Sequence, residues 1–231
     1  MINFWLNNFL LNIGKFFHSK NINNMDDENN EIENNEIEDI KNEDLYVEPK
    51  IKIKLGILVG HTESSPGARA VAPIDDYEYG WNLELAKYFK NIAHKHNIEV
   101  FVETRDVIGI AGAYKNLNDK GVDAVIELHF NAAAYHLASG TETIYYTKIS
   151  KEFAQYIQNS MLESLNLRDR GIKLPVNGRG QSNLSQLSNI PTIIIEPGFG
   201  SNEKDSKVMY EKKDIMVDTM LKYVNKYFNE Q

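Results

Sequence analysis

From Ile51 onward the sequence switches repeatedly between a two-residue and a 3.6-residue apolar period, and this alternation restricts the chain to a small set of folds. Ile51, Ile53, Leu55, Ile57 and Val59 alternate and then give way to Gly60 and His61, the pattern of a strand ending in a loop. Helical spacing follows over 78–93 through Trp81, Leu85, Phe89 and Ile92, and 99–103 (EVFVE) reads as the next strand. Further along, 108–120 predicts a helix, 122–130 a strand, 141–146 a strand and 150–165 a helix. After a Gly-, Asn- and Ser-rich stretch, 191–195 (PTIII) predicts a buried strand and 205–228 a terminal helix. The expected class is α/β: a single-domain sandwich, 49–231, with a mostly parallel central sheet flanked by helices.

The first 48 residues are of another kind. They hold eleven Asp and Glu against three Lys, which leaves 22 acidic and 22 basic residues in 49–231, so the net charge of −8 sits entirely in this segment. Residues 21–48, with NNEIE repeated in tandem at 29–33 and 34–38, bury too little to fold and are expected to form a disordered acidic linker. Within 1–20, apolar residues from Ile2 to Phe17 recur at spacings of three and four, an amphipathic pattern. It suits a helix docked on its own domain, or a peripheral membrane or partner contact through residues 2–17. No cation precedes it and Asn interrupts it, so it matches neither a conventional export signal nor a bilayer span.

A neutral body without a basic run excludes nucleic acid as a partner, because Lys and Arg neutralising phosphates dominate that binding. The chain has no cysteine, so any metal must be held by His, Asp or Glu.

Ligands of parallel sheets gather at the carboxyl ends of strands, and His61, His129 and Glu196 each stand where a predicted strand stops. Catalytic zinc sites take three protein ligands and leave a fourth position for water. Two histidines and one carboxylate suffice, and Glu78, opening a helix, is available beside His61 and His129. His94 and His96, two apart on a helix, face different sides and are expected in solvent, like His18 and His136.

The order of eight pieces then carries a resemblance: GHT at 60–62, PGA at 66–68, EYGWNL at 78–83, ETRD at 103–106, ELHFNA at 127–132, GTETIYY at 140–146, RDRGIK at 168–173 and EPGFGSN at 196–202. From Lys52 to the C-terminus the chain resembles the zinc-dependent N-acetylmuramoyl-L-alanine amidases of cell-wall remodelling and phage lysis. The resemblance implies one zinc ion held by His61, Glu78 and His129, with Glu196 as the catalytic carboxylate, and peptidoglycan as substrate. It also implies action on the cell wall, and with no conventional signal the expected setting is phage-type lysis. Chemistry agrees with these roles: two imidazoles and a carboxylate leave a zinc site at net +1, and Glu196, at the end of an apolar strand, is suited to take and return a proton. A zinc peptidase acting within the stem peptide and a catalytically silent wall-binding module are the alternatives.

The chain departs from the family pattern at three places. GHTESSPGA stands where many members have GHGG, Glu127 replaces a small residue two before the second histidine, and 108–120 lacks the arginine common there. Alternation puts Glu127 on the face of His129, as a partner of that ring, as a member of an unrelated buried ion pair, or as a competing ligand. Glu127, Asn131 and Arg179 are candidates for supporting the ligands or touching substrate; for Arg179 a solvated loop position is the plainer reading. Glu142, at a strand start, is read as structural.

Overall fold

The computed structural model describes residues 53–176 and 180–230. The expectations for 1–48, the amphipathic stretch and the acidic linker, and the one for Arg179 lie outside the described residues.

Strand β1 (Ile53–Val59) is buried along nearly all its length because it is paired in parallel on both sides, to β2 (Ile98–Glu103) and to β3 (Ala124–Leu128). Beyond β3 come β6 (Thr192–Glu196), β4 (Thr141–Tyr145) and β5 (Asp169–Lys173), giving six strands in the order β2-β1-β3-β6-β4-β5. The sheet is therefore the mostly parallel one expected, with one refinement: β4 runs antiparallel to β6, and β5 runs parallel to β4. Parallel pairing of β1, β3 and β6 brings their carboxyl ends to one edge.

Helices cover both faces. On one, α1 (Glu78–Ile92), α3 (Lys148–Leu165) and α5 (Glu203–Asn229) bury Leu85, Phe89, Phe153, Ile157, Met216 and Met220 against Ile57, Ile126, Ile193 and Ile195. Phe153 is wholly buried, 5.1 Å from the Tyr227 ring, and cutting it to Ala would cost roughly 3–5 kcal/mol. On the other, α2 (Gly109–Asp119) packs Tyr114 and Leu117 on Leu58 and Val125, and the short α4 (Gln181–Leu184) sets Leu184 on Ile144 and Ile194.

Local chemistry marks the helix ends. Asn202 caps α5 by accepting from the Asp205 amide at 3.1 Å, with Glu203 and Asp205 in the positive first turn. Asn166 ends α3 in the left-handed conformation, φ 53°. Helix α1 gives way at Ala93–His96 to a 3-10 turn rather than continuing. Among the described residues no helix is long and apolar enough to cross a membrane.

Candidate metal centre

Strand β1 leaves the sheet at Gly60, whose amide donates to the Leu128 carbonyl at 3.0 Å. A Cβ there would stand 2.3 Å from that oxygen and 2.6 Å from His129 Nε2, so only glycine lets the two strand ends approach. His61 follows in the left-handed region, φ 63°, a conformation that costs of order 1–3 kcal/mol and persists only where surrounding contacts impose it. Those contacts are present. Arg105 Nε donates to the His61 carbonyl at 3.3 Å, the amide of Glu63 donates to Asp106 Oδ1 at 2.7 Å, and Tyr79 Oη donates to Asp106 Oδ2 at 2.7 Å.

Glu78 opens α1, its amide bonded to the Ala68 carbonyl at 2.9 Å, and its carboxylate is buried. Oε2 lies 3.1 Å from His61 Nε2. Oε1 lies 2.7 Å from His129 Nδ1 and accepts from the Phe130 amide at 3.2 Å. His129, just past β3, has its other nitrogen, Nε2, 2.9 Å from Glu127 Oε1.

Glu127 is fully buried and receives partners from three further segments: Tyr114 Oη at 2.6 Å, Asn183 Nδ2 at 2.7 Å and Arg105 Nη1 at 3.2 Å. Burial pushes the Glu127 carboxyl up, but His129, Arg105 and Tyr114 outweigh it and hold the group below its ordinary value. Burial likewise opposes ionisation of Glu78, and hydrogen bonds with His129 and His61 bring it down to about 2. For His129 burial favours the neutral ring, yet hydrogen bonds to Glu127 and Glu78 raise it to about 10.

His61, Glu78 and His129 each offer a donor atom, and the three atoms lie within 4.8 Å of one another. Nitrogen and carboxylate donors without thiol are the set that zinc takes in catalytic sites. Charge points the same way. Glu78, Glu127 and Glu196 set three carboxylates around two imidazoles with Arg105 as the fixed cation, a negative excess that a proton on His129 offsets in part and that a bound dication would offset in its place. The donors open into a pocket of about 370 Å³ that Glu196 also lines, together with Arg105, Ile144, Asn183 and Ile194. Glu196 ends β6, is 3% exposed, and its charge acts on His129.

The residues expected from sequence thus meet at one place: His61, Glu78 and His129 around a point that could hold a metal, Glu196 in the same pocket, Glu127 behind the His129 ring. Asn131 is buried nearby, but its Nδ2 donates to Glu142 Oε1 at 3.0 Å. His96 corrects its expectation: its ring is 11% exposed and 2.8 Å from Asp218 Oδ1, because the 3-10 turn carries it onto α5. His94 is exposed as expected, and His136, also exposed, bonds through Nδ1 to the Ser201 carbonyl at 2.7 Å. Arg105, Tyr114 and Asn183 were not expected at the site. Arg105 had a usable signal, since it follows β2 at the same sheet edge; Tyr114 and Asn183 had none, lying mid-helix and in a polar stretch.

The fold and this cluster define the class: an α/β domain with a site of metal-binding type, two histidines and a carboxylate, at its strand ends. The model of the family described as N-acetylmuramoyl-L-alanine amidase (Amidase_3) matches residues 55–224, and the chain belongs to that family. It is 25% identical over 177 residues to the probable cell wall amidase LytH of Staphylococcus saprophyticus, a match covering 74% of this chain and 57% of that protein. The chain spans little more than half the length of the curated relatives it matches. An N-acetylmuramoyl-L-alanine amidase from Clostridium difficile 630 shares the fold at TM-score 0.67 and 27% identity, over 78% of this chain and 99% of that one. The catalytic domain of the amidase CwlV from Bacillus (Paenibacillus) polymyxa var. colistinus superposes at TM-score 0.68 with 20% identity, over 78% of this chain and all of that one, a likeness of fold.

Proposed function

We propose that this chain is a zinc-dependent N-acetylmuramoyl-L-alanine amidase that hydrolyses the amide between the lactyl group of muramic acid and L-alanine in peptidoglycan. One observation carries the reading: His61, Glu78 and His129 converge within 4.8 Å at a pocket that Glu196 also lines, in a chain of the amidase family. Family membership supplies the identity of the bond; the residues supply the chemistry.

His61 Nε2, His129 Nδ1 and one oxygen of Glu78 would hold the ion. Bound there, zinc supplies Lewis acidity, which acidifies water and polarises the amide carbonyl at neutral pH. The Glu196 carboxylate removes a proton from the attacking water as the water oxygen bonds to the lactyl carbonyl carbon. It then delivers that proton to the alanine nitrogen as the C–N bond breaks and its electron pair stays on nitrogen, leaving a free amine and a lactyl carboxylic acid whose remaining proton, the water's second, passes to the amine or to solvent. Ile144 and Ile194, both buried, give the pocket an apolar part of its lining beside the polar donors.

In this reading the enzyme acts on the cell wall. Phage-type lysis is the setting we favour, supported by the Asn- and Lys-rich usage, and residues 2–17 are read as a peripheral membrane or partner contact. The test is digestion of purified peptidoglycan by wild type and Glu196→Gln, with mass spectrometry of the products. Wild type is expected to release intact stem peptides with free L-alanine amino groups, and the variant to be slower by roughly 10²- to 10⁴-fold. Equal release by both removes Glu196 from the mechanism. New amino groups on other residues identify a peptidase, and no release by zinc-loaded wild type a silent wall-binding module.

A further inference from the structure

The mechanism above uses the three donors and Glu196 but leaves Arg105 and Glu127 without a task, although both are buried and both touch the histidines. We propose that Arg105 and Glu127 form one clamp that sets the mutual orientation of the two imidazoles, Arg105 being the positioning residue that joins them. The proposal rests on the zinc reading of the cluster.

A ligand histidine can rotate about its Cβ–Cγ bond, and the contact made by its distal nitrogen decides where its lone pair points. For His129 that contact is Glu127 Oε1, 2.9 Å from Nε2; with a metal on Nδ1, the atom 2.7 Å from Glu78, the remaining ring proton would lie on Nε2 and point at Glu127. Two residues apart at the end of β3, Glu127 and His129 share a face of the sheet, so the pairing is built into the strand.

Glu127 cannot move to follow the ring. Each carboxylate oxygen has about two lone-pair directions, and Glu127 is held at both: His129 Nε2, Asn183 Nδ2 at 2.7 Å and Arg105 Nη1 at 3.2 Å crowd Oε1, and Tyr114 Oη at 2.6 Å anchors Oε2. Its side chain is 0% exposed, so no water competes for these places.

Arg105 carries the link to the other histidine. Its Nη1 contacts Glu127 while its Nε donates to the His61 carbonyl at 3.3 Å, and its side chain is 9% exposed. The planar guanidinium fixes the angle between those two contacts, which a lysine could not do. His61 needs such a hold, because its φ of 63° is unfavourable for a residue with a Cβ. One side chain therefore steadies both the strained backbone of the first histidine and the carboxylate that orients the second.

The test is zinc affinity of the chelator-treated full chain, measured by competition with a chromophoric chelator, and the visible spectrum of the cobalt(II) form. Glu127→Gln, nearly isosteric, and Arg105→Gln are each expected to weaken zinc roughly 10- to 100-fold and to alter the cobalt bands. The double variant is expected to lose little more than the worse single one, because the two residues act as a unit. Should Arg105→Gln fail to fold, Glu127→Gln decides by the same readouts. A change in affinity below about threefold in variants that melt with the wild type overturns the clamp, as does full additivity. Wild type that binds no zinc overturns the reading beneath it, and the two failures are distinct.

Discussion

Glu142 and Glu196 lie directly opposite one another in the antiparallel β4–β6 ladder, so their side chains emerge side by side on one face of the sheet. Glu142 is neutralised from the far side, accepting from Arg170 Nε at 2.6 Å and Lys173 Nζ at 2.5 Å as well as from Asn131. Burial pushes its carboxyl up, and the bonds from Lys173 and Arg170 prevail and hold it below its ordinary value. Removing both cations in Arg170→Ala/Lys173→Ala leaves an uncompensated carboxylate beside Glu196. Like charge raises a neighbouring pKa, and in the proposed mechanism Glu196 accepts its proton as a base, so the acidic limb of the kcat/KM profile is expected to move to higher pH by roughly one unit. A limb unmoved in the double variant would show that the two carboxylates do not communicate.

Gly67 passes so close to the cluster that a Cβ would stand 2.8 Å from both Glu78 Oε2 and His61 Cδ2, at a φ of 82°. Gly67→Ala is expected to destabilise the fold by roughly 1–3 kcal/mol and to weaken metal binding together with activity. Thermal unfolding and zinc titration of the same sample check both effects.

Chelation is expected to abolish activity, zinc to restore it, and the melting temperature to follow. An ion held at a hundred times its dissociation constant adds about 2.7 kcal/mol, a shift easily read by calorimetry. Loss of that shift in His61→Ala would tie it to this cluster, and its persistence there would place the ion elsewhere.

Asp205 joins the turn after Glu196 to the start of β4: its Oδ2 accepts from the amides of Gly140 at 2.9 Å and Phe199 at 3.0 Å, and its Oδ1 from Ser139 at 2.7 Å. Asp205→Ala takes a shared acceptor from two buried amides, and a loss of roughly 3 kcal/mol is expected in urea unfolding. Asp205→Asn, which keeps one acceptor oxygen, is expected to recover part of it.

Deleting residues 1–48 removes the whole negative excess. Activity on soluble wall fragments is expected to stand, while the salt dependence of binding to intact anionic walls changes, because the excess negative charge is lost. Collapse of activity on the soluble fragments would make that segment part of the catalytic domain.

Much of this was legible beforehand for a simple reason. Strands buried on both sides are mostly apolar, so β1, β3 and β6 announced themselves, and the polar residues ending them stood out as candidate site residues. Strand β5 did not, because an edge strand of sequence DRGIK, half exposed and turned by Gly171 at φ 76°, has no apolar period to read. The reversed direction of β4 was hidden too, since period and hydropathy are the same in either sense. Sequence placed Glu127 on the face of His129 and set Arg105 at the right sheet edge, but gave no sign of Tyr114 and Asn183; the three reach Glu127 from separate segments.

His61, His129 and Glu196 depart from three neighbouring strands bound to one another in parallel register, whereas the pocket walls are built by connections such as the one carrying α4. Reaction and recognition thus have different mechanical footings. On the proposed function, exchanging those connections between relatives would retune which glycopeptides are admitted while the proposed bond-breaking groups keep their spacing, a natural starting point for tailored wall-degrading reagents.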